Sequence, residues 1–204
     1  MAPTDVQLML DVKAGDEASF DFLLRKYRAP LVNFLFRMVQ DRATAEDLAQ
    51  EVFIRVYRAR EKYSPSAKFT TWLFRIATNL ALNSLRDNRY QKMEVSIDAP
   101  AEGEEEAPPR ELPGRELRID EHMLERERSE FIRRAIAGLP EKQRVAVLLH
   151  KYEEMDYNEI AKILECSESA LKSSLFRAYE TLRVQLAPIV GVRVAQAARG
   201  GRSS

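Results

Sequence analysis

"MDYNEIAKILECSESALKSSLFRAYETLR", residues 155–183, is the stretch on which the fold turns. Asp156 and Glu159 stand three apart ahead of an apolar run, the spacing of a capping box in which each side chain accepts a backbone N–H at the helix start. Ile160, Ala161 and Leu164 then form the inner face of a short helix. Cys166 falls at a buried turn position, and Ser167 can cap the next helix, which buries Leu171, Leu175, Ala178 and Leu182. Two helices crossing at roughly 90–120° need a small residue at the contact, and Ala161 supplies one. Glu165 occupies the turn position that favours Gly, so a left-handed backbone is expected there. The opposite face of the second helix carries Glu168, Ser169, Lys172, Ser173, Phe176 and Arg177. Short polar and basic groups near a helix N-terminus suit phosphate and base-edge contacts in a major groove. The reading is a helix-turn-helix; the plainer alternative is two core helices with a solvated outer face.

Outward from this motif the periodicity stays helical, and no stretch alternates with period two. Asp16 caps a helix whose stripe is Phe20, Leu23, Leu24 and Tyr27. Pro30 punctuates it, and "LVNFLFRMVQ" follows as a second helix. A third starts at Asp41 or Thr44, with Leu48, Val52 and Val56 on one face and Ala45, Ala49 and Phe53 beside them. "EKYSPSAKF" is a loop broken at Ser64-Pro65, and a fourth helix begins near Phe69. After the linker described below, helical pattern resumes near Leu117, carries Phe131, Ile132, Ala135 and Ile136, and stops at Gly138. Pro140 then opens a helix with Val145, Leu148, Leu149 and Tyr152 inward. The expected fold class is all-α: two small helical domains, residues 1–92 and 117–187, joined by a flexible acidic linker over 93–116. A disordered tail over 188–204 completes the chain.

Charge is balanced overall, 32 basic against 32 acidic residues, but not locally. Arg55–Lys92 holds nine Lys/Arg and two Asp/Glu, whereas Met93–Glu130 holds five and thirteen. A basic block followed by an acidic one fits a polyanion-binding module and a solvated tether. In the basic block, Trp72, Leu73, Ile76, Ala77, Leu80, Ala81 and Leu85 form the inner stripe of the fourth helix. Arg75, Asn79, Asn83, Arg86 and Tyr90 form a second stripe on another face, almost without acid. Amides and guanidinium groups donate to base edges and phosphates. Tyr63, Lys68 and Phe69 in the preceding loop add ring faces and charge for unstacked bases. A solvated face beside a buried Trp72 is the alternative.

Several classes are set aside by composition. A single cysteine, Cys166, excludes an internal disulfide and a cysteine-cluster zinc site, and His122 and His150 complete no ligand pattern. No cofactor is expected. "MAPTDVQLML" lacks a basic n-region and a long apolar core, and no uncharged run reaches the roughly 18 residues of a membrane span. The expectation is a cytoplasmic protein. No glycine-rich phosphate loop and no cysteine nucleophile with a base is found, so an enzyme is not expected.

The motifs together resemble the extracytoplasmic-function (ECF, group 4) sigma factors, bacterial initiation subunits of the sigma-70 family. The resemblance spans roughly residues 5–92 and 130–187. "ATAEDLAQEVFIRVYRA" is similar to the family's core-polymerase-binding helix, and "FTTWLFRIATNLALNSLR" to its promoter-melting and minus-ten segment. "LPEKQRVAVLLHKYEEMDYNEIAKILECSESALKSSLFRAYETLR" is similar to its minus-thirty-five domain. The resemblance implies that Asp47, Gln50, Glu51 and Phe53 face the coiled coil of the polymerase's largest subunit. It implies that Lys68, Phe69 and Asn79, with Tyr63 nearby, capture a flipped base of the minus-ten element, while Arg75, Asn83 and Arg86 track the backbone. Ser169, Lys172, Ser173, Phe176 and Arg177 would read the minus-thirty-five duplex. The implied partners are core RNA polymerase, promoter DNA as duplex and as melted non-template strand, and an anti-sigma factor. In the family the linker threads near the RNA exit path, where its negative charge would mimic nucleic acid. Unchanged initiation and promoter escape after deletion of residues 102–106 would contradict that role. The competing reading is a stand-alone regulator that uses the helix-turn-helix on duplex DNA; the aromatic-basic segment at 63–90, which duplex binding does not require, separates the two.

Overall fold

The structure, a computed structural model, describes residues 3–98 and 119–200. Eight α-helices make up these residues: α1 Asp5–Lys13, α2 Glu17–Val39, α3 Arg42–Arg58, α4 Phe69–Asp98, α5 Ile119–Ala137, α6 Glu141–Tyr152, α7 Tyr157–Leu164 and α8 Glu168–Gly200. One turn of 3₁₀ helix at Arg60–Lys62 leads into the 63–68 loop. None of the described helices is long and apolar enough to cross a membrane.

Local chemistry sets the helix starts. Thr4 accepts the Gln7 N–H at 3.2 Å, Asp16 accepts from Ala18 and Ser19, and Asp41 accepts from Thr44 at 2.7 Å. These contacts also hold the carboxyls of Asp16 and Asp41 below the ordinary range, led by the bonds to Ser19 and Thr44 respectively. Gly15 turns the chain between α1 and α2 at φ +102°, which other residues adopt only under strain. Gln40 ends α2 in the left-handed region, with its N–H on the Phe36 carbonyl.

Four expectations change. Pro30 does not break its helix: α2 runs straight through it, because Tyr27, Leu31, Val32, Phe34 and Leu35 on both sides are locked into one core. α4 continues to Asp98, into the segment read as linker, while the rest of that segment, residues 102–106 included, lies outside the described residues. α8 likewise continues to Gly200, through most of the segment read as a tail. Tyr152 faces out rather than in, and the Arg37 guanidinium lies 4.1 Å from its ring centroid.

α1–α4 enclose one core. Leu31, Leu35 and Met38 of α2 meet Val52 and Val56 of α3 and Leu73, Ala77 and Ala81 of α4, and Phe34 and Phe74 pack edge to face at 5.3 Å. α5–α8 enclose another around α6, whose Val145–Leu149 run is buried on every side. A helix apolar all round must be covered all round. α7 and α8 cover one side of α6 and α2 lies against another, so the two cores are continuous. Arg144 ties the seam, donating to the Met38 carbonyl at 2.7 Å, to Leu139 at 3.3 Å and to Ala137. It thereby satisfies carbonyls left over at the ends of α2 and α5. Burial of this guanidinium pulls its pKa down from the ordinary arginine value.

Candidate nucleic-acid interface

α4 leaves the core with its first turn buried and its outer stripe free. Arg75, Asn79, Asn83 and Arg86 are exposed at helical spacing, and Arg86 Nη2 donates to Asn83 Oδ1 at 2.7 Å. That bond fixes both side chains in a row that presents guanidinium and amide donors outward. Further along, Arg89 Nη2 pairs with Glu141 of α6 at 2.5 Å.

The loop ahead of α4 differs from expectation. Tyr63 and Phe69 are not offered to solvent: they are 3% and 1% exposed. Phe69 packs on Tyr27 at 5.5 Å and on Trp72 at 6.2 Å, and Tyr63 packs on Trp72 at 5.1 Å. The loop folds inward because its rings complete the floor under α1 and α2, and Lys13 Nζ holds the Tyr63 carbonyl at 3.0 Å. Burial, reinforced by the nearby Asp5 carboxylate, pushes the hydroxyls of Tyr27 and Tyr63 above the ordinary tyrosine range, so both stay protonated. Lys68 does point outward, but its Nζ lies 3.1 Å from Glu159 Oε1 of α7.

On α3, Asp47 and Gln50 are exposed and Glu51 is half-buried, paired with Arg55 at 2.7 Å. Phe53 turns inward against Phe20, with ring centroids 6.5 Å apart, and shows only an edge. Its α-helical position beside Ala49 and Val52 places it on the core side of the face that carries Gln50. A groove of about 900 Å³ runs between α2 and α3, with Phe20, Leu24, Phe53 and Ile54 on its floor and Arg28 and Arg58 on its rim. Exposed Ile54 was missed by sequence reasoning; its signal was an apolar residue one step off the buried stripe.

The helix-turn-helix forms as its spacing predicts. Asp156 Oδ1 accepts the Glu159 N–H at 2.8 Å, and Glu159 Oε2 accepts the Asp156 N–H at 3.2 Å. Glu165 takes the left-handed conformation at φ 53°, ψ 48°, and Ser167 Oγ accepts the Ala170 N–H at 3.2 Å. Leu171, Leu175, Ala178 and Leu182 are buried, while Ser169, Lys172, Ser173, Phe176 and Arg177 are all exposed. Two details differ: Cys166 is exposed, and Ile163, not Leu164, joins Ile160 and Ala161 in the core. The turn swings Cys166 outward once Glu165 adopts positive φ. Sequence reasoning also missed an aromatic anchor behind this face. His150 of α6 stacks on Tyr157 of α7 at 5.2 Å and shares a 2.9 Å hydrogen bond with the Tyr179 hydroxyl of α8. Tyr157 also lies 5.6 Å from Lys172 Nζ.

Among the described residues no group of three or more His, Cys, Asp or Glu converges as a metal site. The arrangement thus has two exposed donor-rich surfaces, on α4 and on α8, and a third amide-acid face on α3.

Comparison with known proteins gives these surfaces a family. Residues 23–90 match the model for sigma-70 region 2, and residues 130–182 match sigma-70 region 4. The chain is 34% identical over 190 residues to the RNA polymerase sigma-H factor of Pseudomonas aeruginosa, covering 91% of this chain and 95% of that one. It is 32% identical over 190 residues to the ECF RNA polymerase sigma-E factor of Escherichia coli K12, covering 92% and 96%. In fold it is similar to CnrH, solved in complex with the cytosolic domain of CnrY, with TM-score 0.66, 18% identity and coverage of 91% and 99%. It is also similar to RpoE, solved with the anti-sigma factor NepR from Bartonella quintana, with TM-score 0.61, 21% identity and coverage of 82% and 96%. With regions 2 and 4 in order along one all-helical chain, the protein belongs to the ECF sigma factors of the sigma-70 family, alternative sigma factors that direct promoter-specific transcription initiation.

Proposed function

We propose that the three surfaces divide the work of initiation. The outer face of α3, with Asp47, Gln50 and Glu51, docks on the coiled coil of core polymerase's largest subunit. Ile54 and the edge of Phe53 add apolar contact there. The α4 stripe of Arg75, Asn79, Asn83 and Arg86, with Lys68 at its loop end, binds the melted non-template strand of the minus-ten element: amides address base edges and guanidinium groups hold phosphates. The α8 face of Ser169, Lys172, Ser173, Phe176 and Arg177 reads the minus-thirty-five duplex, where the exposed Phe176 ring suits a thymine methyl. Tyr63 and Phe69 support the loop from beneath instead of stacking on bases. The domain limits that fit this division are residues 1–92 and 117–187. The protein works in the bacterial cytoplasm as a non-enzymatic subunit, and an anti-sigma factor covering the α2–α3 face is its regulatory partner.

The observation that carries this reading is the acid-free donor stripe on α4 in the same chain as a helix-turn-helix. Duplex binding by α8 alone gives that stripe no task, which disfavours a stand-alone regulator. The test is a titration of labelled protein against core RNA polymerase, with unlabelled wild type and Asp47→Lys/Gln50→Ala as competitors. Saturable binding competed by wild type alone is expected. No binding to core, with duplex DNA still gripped, would assign the protein to the stand-alone class.

A further inference from the structure

Three arginines from separate helices line one cleft. It lies among α2, the start of α3, α5 and the end of α6, has a volume of about 420 Å³, and holds Arg37, Arg42 and Arg133 in its wall. Among the described residues no Asp or Glu lines it. Like charges gathered around one cavity repel, the more so where protein replaces water. Arg42 pairs with Glu46 at 2.7 Å along α3, yet 62% of its side chain remains in solvent. Arg133 pairs with Glu130, and its Nη1 donates to Gln40 Oε1 at 2.7 Å.

Arg37 is different. It is half-buried, and among the described residues its guanidinium has no ion-pair partner. Glu153 feels its charge without pairing to it. The guanidinium lies instead over the Tyr152 ring, 4.1 Å from the centroid. Stacking of this kind uses the flat face of a guanidinium and leaves the N–H donors along its edge to find acceptors. The rest of the cleft is apolar. Phe36, Ile132 and Ile136 form that side, and the Arg133 guanidinium lies 5.5 Å from the Phe36 ring centroid. Asn33 and Ser129 add an amide and a hydroxyl. An apolar wall with a few polar groups, in a volume within about 300–1,000 Å³, is the usual make-up of a small-molecule site.

We propose that this cleft binds a nucleoside di- or triphosphate, with its phosphates on Arg37, Arg42 and Arg133 and its base against Phe36 and Ile132. Guanidinium groups take phosphate oxygens through paired N–H donors, and three of them suit a chain of phosphates better than a single one. The bound anion joins cations that otherwise repel and ties α2 to α5 and α6. None of the residues assigned to polymerase or promoter DNA lines the cleft, so the site is separate from those surfaces.

The test is isothermal titration calorimetry of the full chain against ADP, GDP, CDP and UDP, with inorganic pyrophosphate and the parent nucleosides as partial ligands. Saturable one-to-one binding of at least one diphosphate is expected, with pyrophosphate and nucleoside each weaker by about tenfold or more. Arg37→Gln and Arg42→Gln are each expected to weaken binding about tenfold, the loss of a charge-assisted contact. Arg183→Gln, an exposed arginine of α8 outside the cleft, should leave it unchanged. The bound nucleotide should also raise the melting temperature of the wild type and raise that of Arg37→Gln less. Melting without ligand shows whether each variant folds, and Arg42→Gln, at an exposed side chain, decides the matter if Arg37→Gln does not. Absence of saturable binding by all four diphosphates would overturn the proposal. So would equal affinity of wild type and both cleft variants, or an equal loss in Arg183→Gln. Pyrophosphate binding as tightly as the nucleotides would overturn the nucleoside part and leave a plain anion site.

Discussion

At the scale of single residues, what the sequence shows is composition and spacing, and what it hides is direction. Arg75, Asn79, Asn83 and Arg86 were legible as one exposed row because helical period fixes their side once the buried stripe is known. Tyr63 and Phe69 sit in and next to a loop, where no period applies, and their burial depends on Tyr27 and Trp72 arriving from elsewhere in the chain. Phe69→Ala is therefore predicted to lower stability by about 3–5 kcal/mol in urea unfolding, as expected for a large core ring. A normally stable variant defective only in strand opening would contradict its placement. Glu165 was legible as a strained turn residue, and it adopts φ 53°. Glu165→Gly should raise stability by about 0.5–1 kcal/mol, since Gly relieves the left-handed strain while losing more chain entropy on folding. Unchanged or lower thermal stability would argue against strain at that turn. Arg177→Ala should weaken binding of the minus-thirty-five duplex and, if Arg177 contacts phosphate, reduce the salt slope by about 1.

Whole elements were read well where their ends carry chemistry. Asp16, Asp41, Asp156 and Ser167 announce helix starts because a short acceptor side chain satisfies free N–H groups. Pro30 misled, since its local effect is real: it removes the hydrogen bond to the Lys26 carbonyl and crowds it, at a cost of about 3 kcal/mol in a helix interior. Here the core on both sides of Pro30 outweighs that cost, and α2 stays one helix. Pro30→Ala is accordingly predicted to stabilise the chain by about 1–2 kcal/mol, less than the full helix value because the core has adjusted to the ring. A fall in melting temperature would mean that the Pro30 ring itself contributes packing that α2 needs. Linker and tail bounds were set by composition, which registers where burial stops and not where helical hydrogen bonding stops. α4 and α8 accordingly run past both limits.

For the molecule as a whole, two helical units were legible and their seam was not. In the sequence Arg144 and Arg133 look like ordinary surface charges and Glu159 like a helix cap alone, and their partners across the seam lie from 88 to 106 residues away. The same seam contains a titrating group. Burial at the end of α6 pushes the Glu153 carboxyl up to about 7, opposed by the Arg37 charge. A raised carboxyl pKa means that the folded chain holds a proton the unfolded chain has released. Its contribution therefore favours folding below the unfolded value and falls as pH rises from about 4.5 to about 7. Glu153→Gln should flatten this decline and add about 1–2 kcal/mol at pH 8; an unchanged slope of stability between pH 5 and 7 would contradict it. The central claim is that one chain uses α3 for polymerase and α4 for the melted strand. It is tested most directly by permanganate footprinting of wild-type and Asn79→Ala holoenzymes, at a promoter that the wild-type holoenzyme selects from random sequence, alongside their affinities for core. The account predicts core affinity unchanged within about twofold and thymine reactivity in the minus-ten region reduced about tenfold, the size of one lost base contact. Equal loss of core binding and opening, or full opening by the variant, would contradict it.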